Sequence, residues 1–334
     1  MAFPVAGAST TPPIYPIGSA GNGLSGASFI PTIWSGKLVE KFYAATVLAA
    51  ISNTDYEGEV KNQGDTVRIR TKPTITIKDY KADGDLEVER PVGSSVDLAI
   101  DQGKYFNLIL DDVMEIQSDL NLMSMWADDA SEQFKITVDT AVLLGMLGQA
   151  NAKNRGTTAG NITSAINLGA TGSPLAIQAS EPVATFTNVS VLDSILRLGQ
   201  ALDEQNIPET GRWLIVPTWF ATLIKRSPLS QAYLSGDSVS MLRNGRLGMV
   251  DRFTLYSSNL LPSGTSAGLS AGEYVIYAGH AHGLTFASQF TKLETIRSER
   301  SFGNLLRGLQ VYGYKVIDGK AIAQAIVTKA SSIQ

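Results

Sequence analysis

One stretch limits the folds open to this chain more than any other. Residues 59–101 hold 16 charged side chains in 43 positions, 37% against 17% for the whole chain. Within it, Val67 and Ile69 interleave with Arg68 and Arg70, and Leu86 and Val88 interleave with Asp85, Glu87 and Glu89. A period of two predicts strands. They form a hairpin of 65–80 against 85–101, with Lys81, Ala82, Asp83 and Gly84 at its tip. The rising strand carries Arg68, Arg70, Lys72 and Lys78, and the returning one Asp83, Asp85, Glu87 and Glu89. About fifteen residues at ~3.3 Å each reach roughly 50 Å, and a lone two-stranded ribbon is marginal in water. A solvated charged hairpin is the plain reading. The scarcity of apolar residues argues instead for a ribbon supported from outside, most simply by a neighbouring subunit.

Residues 1–36 pose the opposite problem. They carry no charge, and Gly, Pro, Ser, Thr and Ala fill 24 of the 36 positions. Such a segment buries too little apolar area to offset its chain entropy. Yet Phe3, Ile14, Tyr15, Phe29, Ile30 and Trp34 punctuate it. It reads either as a disordered tail or as an extended arm whose apolar anchors, Phe29 and Trp34 among them, lie on another surface. Within 37–58, Leu38, Val39, Phe42, Ala45, Val47, Leu48 and Ile51 predict a short amphipathic helix.

The hairpin segment ends at 103, and 104–150 is assigned to a long helix. Val113, Ile116, Leu120, Met123, Ala127, Ala130, Phe134, Val138, Ala141 and Gly145 recur by threes and fours. They predict one helix, or two nearly collinear ones, over 111–148. Straight, it would run roughly 55 Å, against a radius of gyration near ~20 Å for a compact chain of this length. It is either an ordinary long core helix or the spine of a flat subunit. Residues 151–187 read as loop, with Lys153, Arg155 and Glu181 their only charges. Asn188 or Ser190 then caps a helix carrying Val191, Ile195, Leu198 and Leu202, which stops before Pro208. A strand at 213–216 and a helix opened by Pro217 complete a small α/β unit. After Gly245, strands are expected at 253–257, 273–278, 284–287, 292–300, 307–317 and 321–328. The class is α+β.

Composition narrows the function. Against 31 acidic residues stand 27 basic ones, so no global field grips nucleic acid. Cysteine is absent, which removes disulfides, thiolate metal sites and cysteine nucleophiles. No apolar run approaches the roughly 18 residues of a membrane span, and no secretory signal is visible. Gly21, Gly23 and Gly26 match a dinucleotide-binding spacing, but in a charge-free arm instead of a strand-to-helix turn. Ser266 sits in G-x-S-x-G, with Glu273 and His280 following in triad order. Its surroundings are a turn feeding a strand, not the strand–turn–helix of a nucleophile elbow. His280 and His282 share a strand face, but spacing suggests no third metal ligand.

Taken in order, these parts resemble the major capsid proteins of tailed double-stranded-DNA bacteriophages, with the Hong Kong 97 type fold. The architectural likeness is the sequence of arm, charged hairpin and long helix. The local likeness lies in LDEQNIPETGRWLIVPTWFATLIKR at 202–226, GRLGMVDRFTLYSSNLLP at 245–262, and the ending from YAGHAHGLTF through YGYKV to the small-residue strand AIAQAIV. The resemblance implies an N-arm, an extended β-hairpin loop (59–103), a spine helix in a peripheral domain (104–150), an axial α/β domain with loops (151–284), and peripheral-domain strands (285–334). It implies self-assembly into pentamers and hexamers that form an icosahedral head around double-stranded DNA. No enzyme activity, cofactor or metal is implied.

Expected partners are other copies of the chain, portal and scaffold or decoration proteins, and DNA held without sequence specificity; no membrane is expected. The place is the virion, after assembly in the host cytoplasm. Phe29, Trp34, Arg68, Arg70, Lys72, Lys78, Asp83, Asp85, Glu87 and Glu89 are the expected subunit-interface residues, with Arg68, Arg70 and Lys72 facing acidic groups of a neighbour. A tail-tube or decoration subunit, or a serine hydrolase built on Ser266, remains the alternative. Removing residues 1–35 is expected to leave folded subunits that assemble poorly in sedimentation; unchanged assembly would remove the arm from the argument.

Overall fold

Strands that are apolar on both faces need a cover on each side, and 212–216 is such a strand. Every residue of Arg212–Val216 is buried. The computed structural model describes residues 44, 46–55, 66–73, 75–80, 88–112, 122–179, 188–227, 248–299 and 301–330. In chain order the elements are α1 (Leu48–Ile51), β1 (Thr66–Arg70), β2 (Ser95–Ala99), β3 (Gln102–Asp111), α2 (Leu122–Gly145), β4 (Leu175–Gln178), β5 (Val189–Ser190), α3 (Val191–Glu204), β6 (Arg212–Val216), α4 (Thr218–Arg226), β7 (Met249–Val250), β8 (Phe253–Ser257), β9 (Glu273–His280), β10 (Leu284–Arg297), β11 (Gly303–Val316) and β12 (Ile322–Lys329).

Among the described residues the strands form three sheets. The largest has seven strands in the order β5-β4-β12-β9-β6-β8-β7, with β6 parallel to β8 and antiparallel to β9. On one face, Ile195, Leu198 and Leu202 of α3 and Phe220, Leu223 and Ile224 of α4 pack on Leu214, Val216, Ile276 and Ala323. On the other, Trp213, Ile215, Val275, Tyr277 and Ile322 meet Val138, Val142, Leu143 and Met146 of α2. A three-stranded antiparallel sheet follows the order β10-β11-β3. Leu284 and Tyr312 of that sheet enter the same core as α2, and Phe106 of β3 meets Phe134 of α2 edge to face, with ring centroids 5.3 Å apart. Gly308 lies under that Phe106 ring, where a Cβ would collide with it. The third sheet is the β1–β2 hairpin.

The expected hairpin register is present. Thr66 lies opposite Ala99 and Arg70 opposite Ser95. The same register persists where the Thr71 N–H donates to the Ser94 carbonyl and the Thr76 N–H to Glu89. The continuous ladder covers only Thr66–Arg70 against Ser95–Ala99, however, rather than 65–80 against 85–101. Pro73 interrupts it because it has no N–H to give the Val92 carbonyl opposite, whereas Pro91 falls where a strand N–H would point out of the ribbon.

Other differences are equally physical. Of the helix expected from 38 onward, residues 38–43 and 45 lie outside the described residues; described helix starts at Leu48, where the Asp139 carboxylate accepts the Val47 and Leu48 N–H groups at 2.6 and 3.2 Å. The segment 104–150 opens with strand β3, which carries apolar side chains on both faces (Phe106, Leu108 and Leu110 on one, Tyr105 and Ile109 on the other) and so hides its period of two. Helix is described at Asp112 and over Leu122–Gly145, with residues 113–121 between them outside the described residues; it ends in turns at 146–148 instead of reaching 148. The loop 151–187 contains β4, which pairs in parallel with β12. The two strands expected at 284–287 and 292–300 are one, β10, with a bulge between Ser288 and Phe290. Finally, 285–334 does not form one group of strands: β12 leaves the three-stranded sheet and pairs with β9 and β4 in the seven-stranded one.

Ser190 caps α3 by accepting the Asp193 N–H, and Pro217 stands immediately before α4, as the sequence indicates. The β7–β8 turn places Asp251 and Arg252 at φ +45° and +65°, a conformation costly for side chains with a Cβ. Arg252 offsets that cost through ion pairs to Asp203 at 2.9 Å and Glu209 at 2.8 Å. Asp203 also holds the fully buried Arg212 at 2.7 Å. At the far end of α2 the buried Tyr277 hydroxyl donates to the Leu143 carbonyl, one of the helix's last unpaired acceptors.

Asp139 tests this account. Burial pushes its carboxyl above the usual carboxylate range, although the Val47 and Leu48 N–H groups pull the other way. A value raised by folding means that protonation favours the folded state. Its contribution is therefore full below the ordinary carboxylate range and falls as pH rises through the folded value. Asp139→Ala is expected to cost about 1–3 kcal/mol in denaturant unfolding by orphaning two buried N–H groups. Asp139→Asn keeps an acceptor, and its stability should lose that pH dependence.

Candidate subunit interface

The β1–β2 hairpin divides its residues between two uses. Arg68 is bound within its own ribbon: its Nε donates to Asp97 of the opposite strand at 2.9 Å. That bond raises the Arg68 guanidinium and lowers the Asp97 carboxyl from their ordinary values. Both groups are exposed, so the pair aligns the strands more than it stabilises them. Arg70, Lys72, Lys78 and Glu89 are exposed along the same ribbon, and Glu89 receives Thr76. Asp83, Asp85 and Glu87, like Phe29 and Trp34, lie outside the described residues.

A feature absent from the charge pattern is the ribbon's apolar face. Continuing the ladder register places Ile77 opposite Val88, Ile75 opposite Arg90 and Pro73 opposite Val92. Ile77 is 90% exposed, Val88 89% and Val92 88%, so among the described residues nothing covers this largely apolar face. The sequence signal was the short alternation at 73–78, PTITIK, outweighed by the charges around it.

A second unpartnered face belongs to the three-stranded sheet. Across its outer side Tyr105 pairs with Leu309, Asn107 with Arg307, and Ile109 with Leu305. On the next strand Lys292, Glu294 and Ile296 continue those rows, with Lys292 and Glu294 ion-paired at 2.7 Å. Tyr105 is 79% exposed, and Ile109, Leu309 and Ile296 are also exposed. The surface is thus an apolar rim around a charged centre. Phe302, in the β10–β11 turn, is exposed beside Gly303, which pairs with the end of β3.

The chemistry suggested by motif does not assemble. Glu273 and His280 stand at opposite ends of β9, a separation of about 23 Å at strand rise. The buried Glu273 carboxylate instead accepts the Gly172 and Ser270 N–H groups at 2.8 and 2.9 Å, pinning two loops. Ser266 lies in a single 3-10 turn, Thr265–Ala267, rather than between a strand and a helix. His280 accepts the His282 N–H, and among the described residues no three His, Cys, Asp or Glu side chains gather as a metal site. Gly21, Gly23 and Gly26 lie outside the described residues.

A family model described as phage capsid protein matches residues 95–325. Among solved structures, a chain of Mycobacterium phage Che8 is 28% identical with a TM-score of 0.70, covering 89% of this chain and 97% of that one. The capsid of cyanophage P-SCSP1u is 14% identical with a TM-score of 0.68, covering 92% and 96%. The mature capsid of bacteriophage PhiM1 is 16% identical with a TM-score of 0.62, covering 97% and 100%. No curated protein matches the chain. The α+β architecture of two sheets served by one long helix is that of these capsid subunits, and the chain belongs to the phage capsid protein family.

Proposed function

We propose that the chain is the major capsid protein of a tailed bacteriophage, assembling into pentamers and hexamers that tile an icosahedral head around double-stranded DNA. The observation that carries this reading is the pair of uncovered apolar faces, one on the hairpin and one on the three-stranded sheet. Each is too exposed to be explained within one chain, and each is a surface that another copy can cover. On this reading the charged residues Arg70, Lys72, Lys78, Asp83, Asp85, Glu87 and Glu89 set register between copies, while Phe29 and Trp34 anchor the arm on a neighbour. Exposed ion pairs are worth only ~0–1 kcal/mol each. Apolar burial therefore carries the association, at roughly 25 cal/mol per Å² over interfaces above about 2,000 Å².

The role is structural, without catalysis. Portal and scaffold or decoration proteins are the remaining partners, and DNA is enclosed without sequence reading. The subunit assembles in the host cytoplasm and resides in the virion. Replacing Ile77 and Val88 together with Asp is expected to leave the subunit folded by circular dichroism while abolishing shells in negative-stain microscopy and sedimentation. Shells formed normally by that variant would overturn the role of the hairpin face; tubes formed by the parent chain would indicate a tail subunit instead.

A further inference from the structure

We propose that His280 is a pH-sensitive lock on the crossover between the two larger sheets. The chain passes directly between them twice, from β9 to β10 through the turn Ala281–Gly283, and from β11 to β12 through residues 317–321. The two passages touch: the Ile317 N–H donates to the Gly283 carbonyl at 2.9 Å. A Cβ on Gly283 would press into Ile322 and Ala321, so little slack exists there.

His280 is the last residue of β9, and its ring ties three segments together. Its Nδ1 accepts the His282 N–H at 3.2 Å and so caps the 281–283 turn. Its Nε2 lies beside Gly211, just ahead of β6. A ring nitrogen that accepts an N–H carries no proton, so the bond at Nδ1 belongs to the neutral imidazole. Protonation would put a second N–H where Nδ1 now accepts, setting two donors against each other.

The surroundings oppose that charge. From β6 comes Arg212, fully buried and held by Asp203 and by the Ile207 and Pro208 carbonyls; Arg252 shares the same Asp203. His282 lies on the turn itself, and the Gly319–Ala321 turn packed against it brings Lys320 and Asp318, whose carboxylate receives the Lys320 N–H. Burial first, then His282 and Arg212, push the His280 imidazole below its ordinary value, while the Thr210 backbone opposes them. A histidine lowered by folding contributes stability that is full above the ordinary range, near ~6.5, and is lost as pH falls through it. The sign is opposite to that of Asp139, so the two groups are separable by titration.

Hydrogen exchange of the full-length chain, corrected for intrinsic pH effects, tests the lock between about pH 8 and about pH 5. Residues 279–285 and 317–321 are expected to exchange about tenfold faster at the acid end relative to α3. In His280→Gln, whose amide donates and accepts without titrating, that acceleration should vanish, whereas His282→Gln should keep it. Crossover exchange that does not change with pH, or a pH response retained in His280→Gln, would overturn the proposal. Should His280→Gln fail to fold, imidazole titration by NMR in the parent chain decides. With His282→Gln for assignment, a His280 midpoint at or above the ordinary value would overturn the lock, and one below it would support it.

Discussion

Two sheets depend on one helix for their common interior. Val138, Val142, Leu143 and Met146 of α2 fill the space under Trp213, Ile215 and Tyr277 of the seven-stranded sheet, and the same core holds Leu284 and Tyr312 of the three-stranded sheet. Truncating any one of these buried side chains would open a void in that shared core. Asp139, among these apolar residues, fixes where the segment behind the arm becomes helical, and the Asn53 backbone then pairs with the start of β10. The root of the arm, the helix and the sheet crossover are therefore held by contacts that lie close together in the chain's topology.

Much of this was legible in the sequence because local signals agreed with tertiary demands. The Ser190 cap, the strand before Pro217 and the helix after it all survive in the structure. The missed elements are those whose patterns were ambiguous. Strand β3 exposes Tyr105 and Ile109 while half-burying Phe106 and Leu108, so it shows no clean alternation of apolar and polar residues. Strand β4 is four residues long and gains its identity only by pairing with β12, some 150 positions away. Strand order is non-local, and nothing near 322–329 announces a return to the larger sheet.

The hairpin was legible from its charge spacing, and within it Arg68 pairs with Asp97 of the opposite strand. Its apolar side was not: Ile75, Ile77, Val88 and Val92 stand out only by being uncovered. Exposure is a property of the folded chain, and a pattern of letters cannot show it. The same limit applied to Glu273 and His280: their order suited a triad, and only the length of β9 separates them.

Pro73 carries a geometric consequence. Among the described residues, backbone bonding across the hairpin ends with the Thr71 N–H to the Ser94 carbonyl, and beyond it the link between the strands is made by side chains such as Glu89, which receives the Thr76 N–H. A ribbon stitched only at its base bends more readily than a full ladder. One sequence can then present the same greasy ridge at slightly different inclinations, as a closed surface built from rings of five and of six requires.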